Sequence, residues 1–428
     1  MNVEIPTHSI VLDEGRCVGC VACCRSCPTK SIRVAGGRMR IDPATCIDCG
    51  ACILSCPYEA VRSRTSSPAD LARFAYTVAI PSSTLFTQFG PEVMPWQVAG
   101  ALTAVGFDAF HDGTIMCPMV SRALDTYLSE CQGPWPKISV TCPAIIRLIL
   151  IRYPDLVPHL IPLHTPRELS AKLARRRFAA RLGLRPEQIG VFYITPCAAI
   201  IQSIFRPVGP LASHLDGAFS IAELYGPLLK AIKAGATIPE ESFDPRGLIW
   251  ARAGGESAAM RNVNTLSVTG VAEVTHVFDC IESGKFHHVD FIEAHICPDG
   301  CVSGQFLVEG RYAARHTLGR LLARLDERQS FKEETVRSLF HDHFFHMEDE
   351  IRASPVQPLT VDLREAIRRR QERGRLLERL PRRDCAACGA PDCATLAEDA
   401  VAGLASIEDC VFLKLERAAA AREDKGDE

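Results

Sequence analysis

The chain has 428 residues, 20 cysteines and a formal net charge of −3. That length allows two to four domains of roughly 100–200 residues and cores that need no disulfide staples, while the near-neutral charge argues against a nucleic-acid binder working by bulk charge. Met1–Val11 has no basic stretch leading into an apolar run, and the best apolar run, Ile145–Ile151, is broken by Arg147, so neither a leader nor membrane insertion is expected. Clustered cysteines in such a chain point to a reducing, cytoplasmic compartment, where they bind metal or do redox chemistry more often than they pair.

Nine cysteines lie between Cys17 and Cys56. Cys17, Cys20, Cys23 and Cys27-Pro28 form C-x2-C-x2-C-x3-C-P, and Cys46, Cys49, Cys52 and Cys56-Pro57 repeat it. This is the bacterial two-cluster ferredoxin pattern, in which the fourth cysteine of each run serves the other cluster. Cys17, Cys20, Cys23 and Cys56 are expected to hold one [4Fe–4S] cubane, and Cys46, Cys49, Cys52 and Cys27 the second. Three thiolates on one tight loop can wrap a cube, and the fourth must arrive from elsewhere. Zinc knuckles rarely show eight cysteines in this doubled order with both prolines. Cys24 falls outside the pattern and reads as a bystander.

Arg62–Asp70 (RSRTSSPAD) is polar and reads as a linker. A long middle follows. Short apolar or β-branched runs at Tyr76–Ile80, Lys137–Val140, Gly190–Ile194, Leu248–Ala251 and Val289–Glu293 alternate with helical patterns at Arg167–Leu182 and Ile221–Ala234. That alternation predicts an α/β domain, strands in a sheet with helices on its faces. Cys142, Cys197 and Cys297 each come just after such a run, where α/β folds place functional groups. After Ser354 comes a Pro-containing stretch and then an Arg/Glu-rich helical pattern, read as a solvated helix joining two bodies. Cys385, Cys388, Cys393 and Cys410 follow in "DCAACGAPDCATLAEDAVAGLASIEDC". Three cysteines in a Gly/Pro loop, a helix over Thr395–Ala402 and a fourth cysteine beyond it could close one cubane or a structural zinc site. The organisation expected is a two-cluster ferredoxin domain (1–64), a central domain (65–353), a linker helix (354–380), a small helical cluster module (381–414) and a charged tail (415–428).

The C-terminal segment resembles the four-cysteine module of the Rnf electron-transport subunit and of corrinoid iron–sulfur proteins, which implies a [4Fe–4S] cluster. In the middle, "SVTCPAIIRLILIRYPDLVPHL" around Cys142, "VFYITPCAAI" around Cys197 and "DFIEAHICPDGCVSGQF" around Cys297 and Cys301 resemble, in order, the three cluster-binding motifs of the [FeFe]-hydrogenase catalytic domain. The similarity extends through Thr77–Gly90, Gly106–Met116 and Pro166–Gln188. The flanking domains look most like the sensory branch of that family. The resemblance implies that Cys142, Cys197, Cys297 and Cys301 ligate a hydrogenase-type [4Fe–4S] cluster. It implies too that Cys301 would bridge to a diiron unit, where hydrogen is made or split.

Several positions depart from the family. Thr141 replaces the proton-relaying cysteine beside the first ligand; a hydroxyl can join a hydrogen-bond chain but is a poor proton donor. Ile200 replaces the lysine that binds a cyanide, Cys117-Pro118 replaces an acidic pair, Thr195 and His295 replace methionines, and Asp299-Gly300 replaces Gly-Gly. Thr141 and Cys301 are the candidate catalytic positions. The expectation is electron transfer, or sensing of H2 or redox state, with a slow or modified pocket. Alternatives are an active ferredoxin-linked hydrogenase, a cubane-only relative lacking the diiron unit, and an iron–sulfur assembly factor. The partner would be a ferredoxin, a flavoprotein or a signalling protein. "HDHFFH" (His341, His343, His346) reads as a solvated helix end rather than a metal site, as do His287-His288 and Lys172–Arg181 as exposed features. "ARAGGES" (Gly254, Gly255) lacks the spacing of a nucleotide loop.

Overall fold

The computed structural model describes residues 7–210, 212–238, 243–325, 331–354 and 362–423. The first residues of the segment read for a leader, most of the Pro-containing stretch after Ser354 and the end of the charged tail lie outside the described residues. Contacts group the chain into two units. One comprises Met1–Ser9, Ile47–Cys49 and Arg64–Ser354, the other Ile10–Cys46, Gly50–Ser63 and Pro355–Glu428.

In the smaller unit, two antiparallel strand pairs frame the N-terminal cysteines: Ile10–Leu12 with Val61–Ser63, and Ile32–Ala35 with Arg38–Ile41. Short helices Ala22–Ser26 and Ala51–Ser55 stop at Cys27 and Cys56, both extended. The prolines that follow disfavour a helical residue before them. The Arg/Glu-rich helix forms over Leu363–Arg379 with no buried residue. Arg368 and Arg369 pair with Glu365, and Arg375 with Glu372, one turn apart. The next helix, Cys393–Val401, starts two residues earlier than expected because the Asp392 carboxylate caps it, accepting from Thr395 N–H at 2.7 Å. Cys410 lies beyond the turn Ile407–Asp409.

The N-terminal and C-terminal cysteine segments pack together in this unit. Val34 N–H donates to the Gly389 carbonyl at 2.9 Å, Arg33 clasps Asp399 through two nitrogens at 2.5 and 2.9 Å, and Lys30 lies 2.6 Å from Asp392. Gly389 has φ +89°, and a Cβ there would sit 1.9 Å from the Val34 carbonyl oxygen. Only glycine fits that approach.

The larger unit is α/β, with two parallel sheets. Ala109–Phe110, Tyr76–Pro81, Ile189–Thr195 and Gly217–Ser220 form one in that order. Thr265–Thr269, Phe291–His295 and Lys137–Ile138 form the other. The central strands are buried along nearly their whole length, as covered parallel strands are. Helices Pro166–Leu182 and Ile221–Lys233 form close to their expected bounds. The run Val289–Glu293 is displaced to Phe291–His295.

Leu248–Ala251 is not a strand. It is helical, Pro245–Leu248 followed by Ile249–Ala251. The Asp244 carboxylate accepts from Arg246 N–H at 3.0 Å and Pro245 opens the turn, both helix-start signals. A four-residue apolar run cannot distinguish a buried strand from a buried helix. Gly254-Gly255 therefore follows a helical turn. Of the polar Arg62–Asp70 stretch, Arg62 and Ser63 belong to a strand, and Ser66 N–H donates to the Ala218 carbonyl at 2.7 Å.

Candidate functional site

Backbone geometry delivers four cysteines to one place in the larger unit. Cys142 caps helix Pro143–Arg152, and Cys197 caps helix Ala198–Phe205 directly after strand Ile189–Thr195. Cys297 stands two residues beyond strand Phe291–His295, and Cys301 lies in the turn Gly300–Ser303. That turn is entered through Asp299 at φ +65°, a left-handed conformation that Asp tolerates better than most residues. Arg315 holds the Asp299 carboxylate at 3.0 Å.

The four thiols act on one another. Burial pushes the Cys197 thiol up, and Cys301 and Cys142 add to the shift. Burial does the same at Cys297, reinforced by Cys197, Cys142, Cys301 and also Cys49. Cys49 packs against the same apolar core as Cys142, Cys197 and Cys297. Burial alone would raise Cys142 too, but hydrogen bonding and charge from His295 reverse it and hold that thiol below its ordinary value. A cage of four thiols beside two helix N-termini fits an iron–sulfur cubane, which is bound by thiolates.

The departures from the resembling family take definite positions. The Ile200 backbone N–H donates to Cys197, and its side chain is buried and apolar. Thr195 Oγ1 accepts from Cys197 N–H at 3.2 Å, so it shapes the ligand loop. His295 is buried and hydrogen-bonds both the Cys142 and Cys301 thiols and the Glu293 carboxylate. Thr141 hydrogen-bonds Glu256. Ser139 Oγ donates to the same carboxylate at 2.7 Å. Glu256 and Glu293 are 4% and 1% exposed. Burial and repulsion from Glu293 push Glu256 well above the usual carboxylate range. Burial would raise Glu293 as well, but the His295 hydrogen bond outweighs it and holds that carboxyl low. Cys117 lies among acids: burial pushes its thiol far up, with Asp112, Glu256 and Asp244 contributing.

Sequence reasoning missed these two glutamates. Glu256 sits in "ARAGGES", weighed only as a nucleotide loop, and Glu293 ends a run read as plain strand. An acid inside an otherwise apolar strand was the available signal.

In the smaller unit, Cys17, Cys20, Cys23 and Cys56 line one pocket with Val18 and Tyr58. Burial pushes the Cys23 thiol up to about 11, with Cys20, Cys17 and Cys56 adding. The fourth cysteine of the second run thus stands beside three of the first. Cys27, Cys46 and Cys52 belong to this unit, whereas Cys49 belongs to the larger one. Burial raises the Cys388 thiol, with Cys410 and Cys385 adding, and Cys393 shares an apolar cluster with Cys410 and Cys388. Cys24 is more than a bystander. It is fully buried, and its thiol lies 3.2 Å from the Ile32 carbonyl oxygen and 3.5 Å from that of Gly389.

Three family models match the chain. Residues 75–245 and 251–305 match the iron-only hydrogenase large subunit, C-terminal domain. Residues 9–66 match a 4Fe–4S dicluster domain, and residues 380–412 an Fe–S cluster family. The periplasmic [Fe] hydrogenase large subunit of Nitratidesulfovibrio vulgaris is 24% identical over 388 residues, 75% of this chain and 92% of that protein. Iron hydrogenase 1 of Clostridium pasteurianum is 23% identical over 263 residues, 50% of this chain and 46% of that protein. A solved [FeFe]-hydrogenase, HydA(deltaEFG), superposes with a TM-score of 0.51 at 16% identity, over 67% of this chain and 97% of its own. An [FeFe]-hydrogenase from Chlamydomonas reinhardtii gives 0.50 at 16% identity, over 67% and 98%. Among the described residues no helix is long and apolar enough to cross a membrane.

Proposed function

Because this chain belongs to the iron-only hydrogenase large-subunit family and matches a 4Fe–4S dicluster domain over residues 9–66 and an Fe–S cluster family over residues 380–412, we propose that it is a multi-cluster electron carrier that senses H2 or redox state through a slow, modified hydrogenase-type pocket. One observation supports this above the others. The four pocket cysteines are retained, while the neighbouring position that relays protons in the resembling enzymes holds Thr141, whose hydroxyl is engaged with Glu256. A hydroxyl beside a buried carboxyl exchanges protons far less readily than a thiol. Ile200 offers no side-chain donor to an anionic ligand, forfeiting a charge-assisted hydrogen bond worth about 1.5–3 kcal/mol.

Cys142, Cys197, Cys297 and Cys301 would hold the hydrogenase-type cluster, and Cys301 would also meet a diiron unit. When bound, that unit would supply the site of H2 cleavage. This chain's own residues would then orient the thiolates through His295 and hold a proton on Glu256. Cys49 packs on the same core as Cys297, and with Cys46, Cys52 and Cys27 it would form the second ferredoxin-type set. The first ferredoxin-type set is Cys17, Cys20, Cys23 and Cys56, and Cys385, Cys388, Cys393 and Cys410 form the C-terminal one. The partner would be a ferredoxin, a flavoprotein or a signalling protein in the cytoplasm, the compartment that the cysteine usage favours.

A second reading, ferredoxin-linked H2 oxidation, is favoured by the buried Glu256–Glu293 pair, which supplies carboxyl groups near the pocket although the acidic pair at Cys117-Pro118 is gone. Maturation with the diiron-cluster assembly enzymes, followed by infrared spectroscopy and H2-uptake assays, separates the readings. Carbonyl and cyanide bands with trace turnover support sensing. Bands with fast turnover would replace it by the enzyme. Absent bands would overturn both and leave a cubane-only electron carrier, with about sixteen irons per chain for four cubanes.

A further inference from the structure

Away from the cysteines, three segments of the larger unit converge on a pair of imidazoles. His164 lies just before helix Pro166–Leu182, His214 just before strand Gly217–Ser220, and Glu348 beyond helix Glu333–His341. One potential ligand atom from each lies within 4.8 Å of the other two. His164 Nε2 is 3.2 Å from Glu348 Oε1, and the two imidazole centroids are 5.7 Å apart. His164 is 1% exposed. His214 Nε2 is buried without a hydrogen-bond partner, a cost that native structures rarely leave uncompensated.

The scaffold holds these side chains in place. His164 N–H donates to the Phe345 carbonyl at 2.8 Å, and Met347 N–H to the Pro162 carbonyl at 3.0 Å. The His214 N–H donates to Glu168 Oε2 at 2.8 Å, and Ser213 Oγ donates to the same carboxylate. These contacts fix the backbone of the loops that carry the two imidazoles. Glu168 and Lys172 act on His214, His346 lies beside His164, and Arg147, Arg167 and Arg206 line a cavity with His164 and Glu168.

We propose that His164, His214 and Glu348 bind a divalent cation of the zinc type, with a fourth position left for water. Two imidazoles and one carboxylate are a zinc donor set, and intrinsic affinity runs higher for zinc than for ferrous iron, which the same donor set also takes. The cation would tie three loops together and fix the start of helix Pro166–Leu182. That helix carries Arg167, whose guanidinium donates to the Thr141 carbonyl at 3.1 Å. The inference goes beyond the proposed sensing role and stands whether or not the pocket turns over H2.

The test uses the anaerobically purified, cluster-loaded full chain. It is incubated with zinc chloride, stripped of loose metal on a chelating resin and analysed for zinc and iron, beside His214→Ala and Glu348→Gln. Glu348 is exposed, so its amide variant should fold. The expected result is one retained zinc per chain with iron unchanged, at least tenfold weaker retention in both variants, and a zinc-edge X-ray spectrum with a nitrogen/oxygen shell near about 2.0–2.1 Å and no sulfur. No retained zinc in the parent chain, equal retention in Glu348→Gln, or a sulfur shell would each overturn the proposal.

Discussion

His295 Nε2 lies 2.9 Å from Glu293 Oε1, both on the strand that leads into Cys297. The pair is almost fully buried, and the same imidazole hydrogen-bonds Cys142 and Cys301. A methionine, which the resembling enzymes carry here, cannot donate. Hydrogen bonds to cluster sulfurs raise reduction potentials by stabilising the more negative state.

Replacing His295 by Leu should therefore lower the midpoint potential of the pocket cluster. A hydrogen bond to a charged group is worth about 1.5–3 kcal/mol, which for a one-electron couple converts to a shift of at most roughly 65–130 mV. A redox titration followed by electron paramagnetic resonance measures it. An unshifted midpoint would show that the imidazole does not tune the cluster.

Glu256 should leave a signature in stability against pH. Its folded pKa is pushed up to about 8 from an ordinary 4.5, by burial and then by Glu293. Between those values the folded chain holds a proton that the unfolded chain has lost. Its contribution to stability therefore falls as pH rises through that window. Urea unfolding from pH 5 to 8 should show this decline, and Glu256→Gln should flatten it. Parallel slopes in the two proteins would refute the assignment. Glu293, held low, acts below that window, since its contribution is lost as pH falls.

Thr141→Cys should restore a proton donor beside Cys142. In chains matured with the diiron unit, H2 turnover should rise by about 10²-fold or more, the scale of general acid–base catalysis. Gas-chromatographic assay of H2 evolution decides it. An unchanged rate would place the limitation at Ile200 rather than at the relay position.

Gly389→Ala should loosen the smaller unit. The new Cβ meets the Val34 carbonyl oxygen at 1.9 Å, and φ +89° is itself unfavourable for alanine. Such a backbone conformation alone costs about 1–2 kcal/mol. Limited proteolysis should release C-terminal fragments faster than in the parent chain, while the larger unit resists as before. Equal cleavage rates would mean that the close approach is not needed for docking.

The clusters were legible in the sequence because cluster ligation is local. Three thiols must wrap one cube from a single short loop, so C-x2-C-x2-C and C-x2-C carry their meaning without a fold. The sheet strands were legible for a similar reason: Tyr76–Pro81 and Ile189–Thr195 are continuous apolar runs because both faces are covered. Leu248–Ala251 was misread because four apolar residues have no readable period, and the cap at Asp244 lies outside the run. Spacing could not reveal the buried polar partners. Glu256 and Glu293 stand 37 positions apart in the chain, so no local spacing pairs them. His164, His214 and Glu348 come from three separate loops. The sequence by itself determined that this is a multi-cluster iron–sulfur protein of the hydrogenase kind. Only the tertiary structure decided that Thr141 faces a buried acid, that Cys24 reaches Gly389, and that two histidines and a glutamate meet. Those contacts depend on burial and long-range packing, which no local pattern encodes.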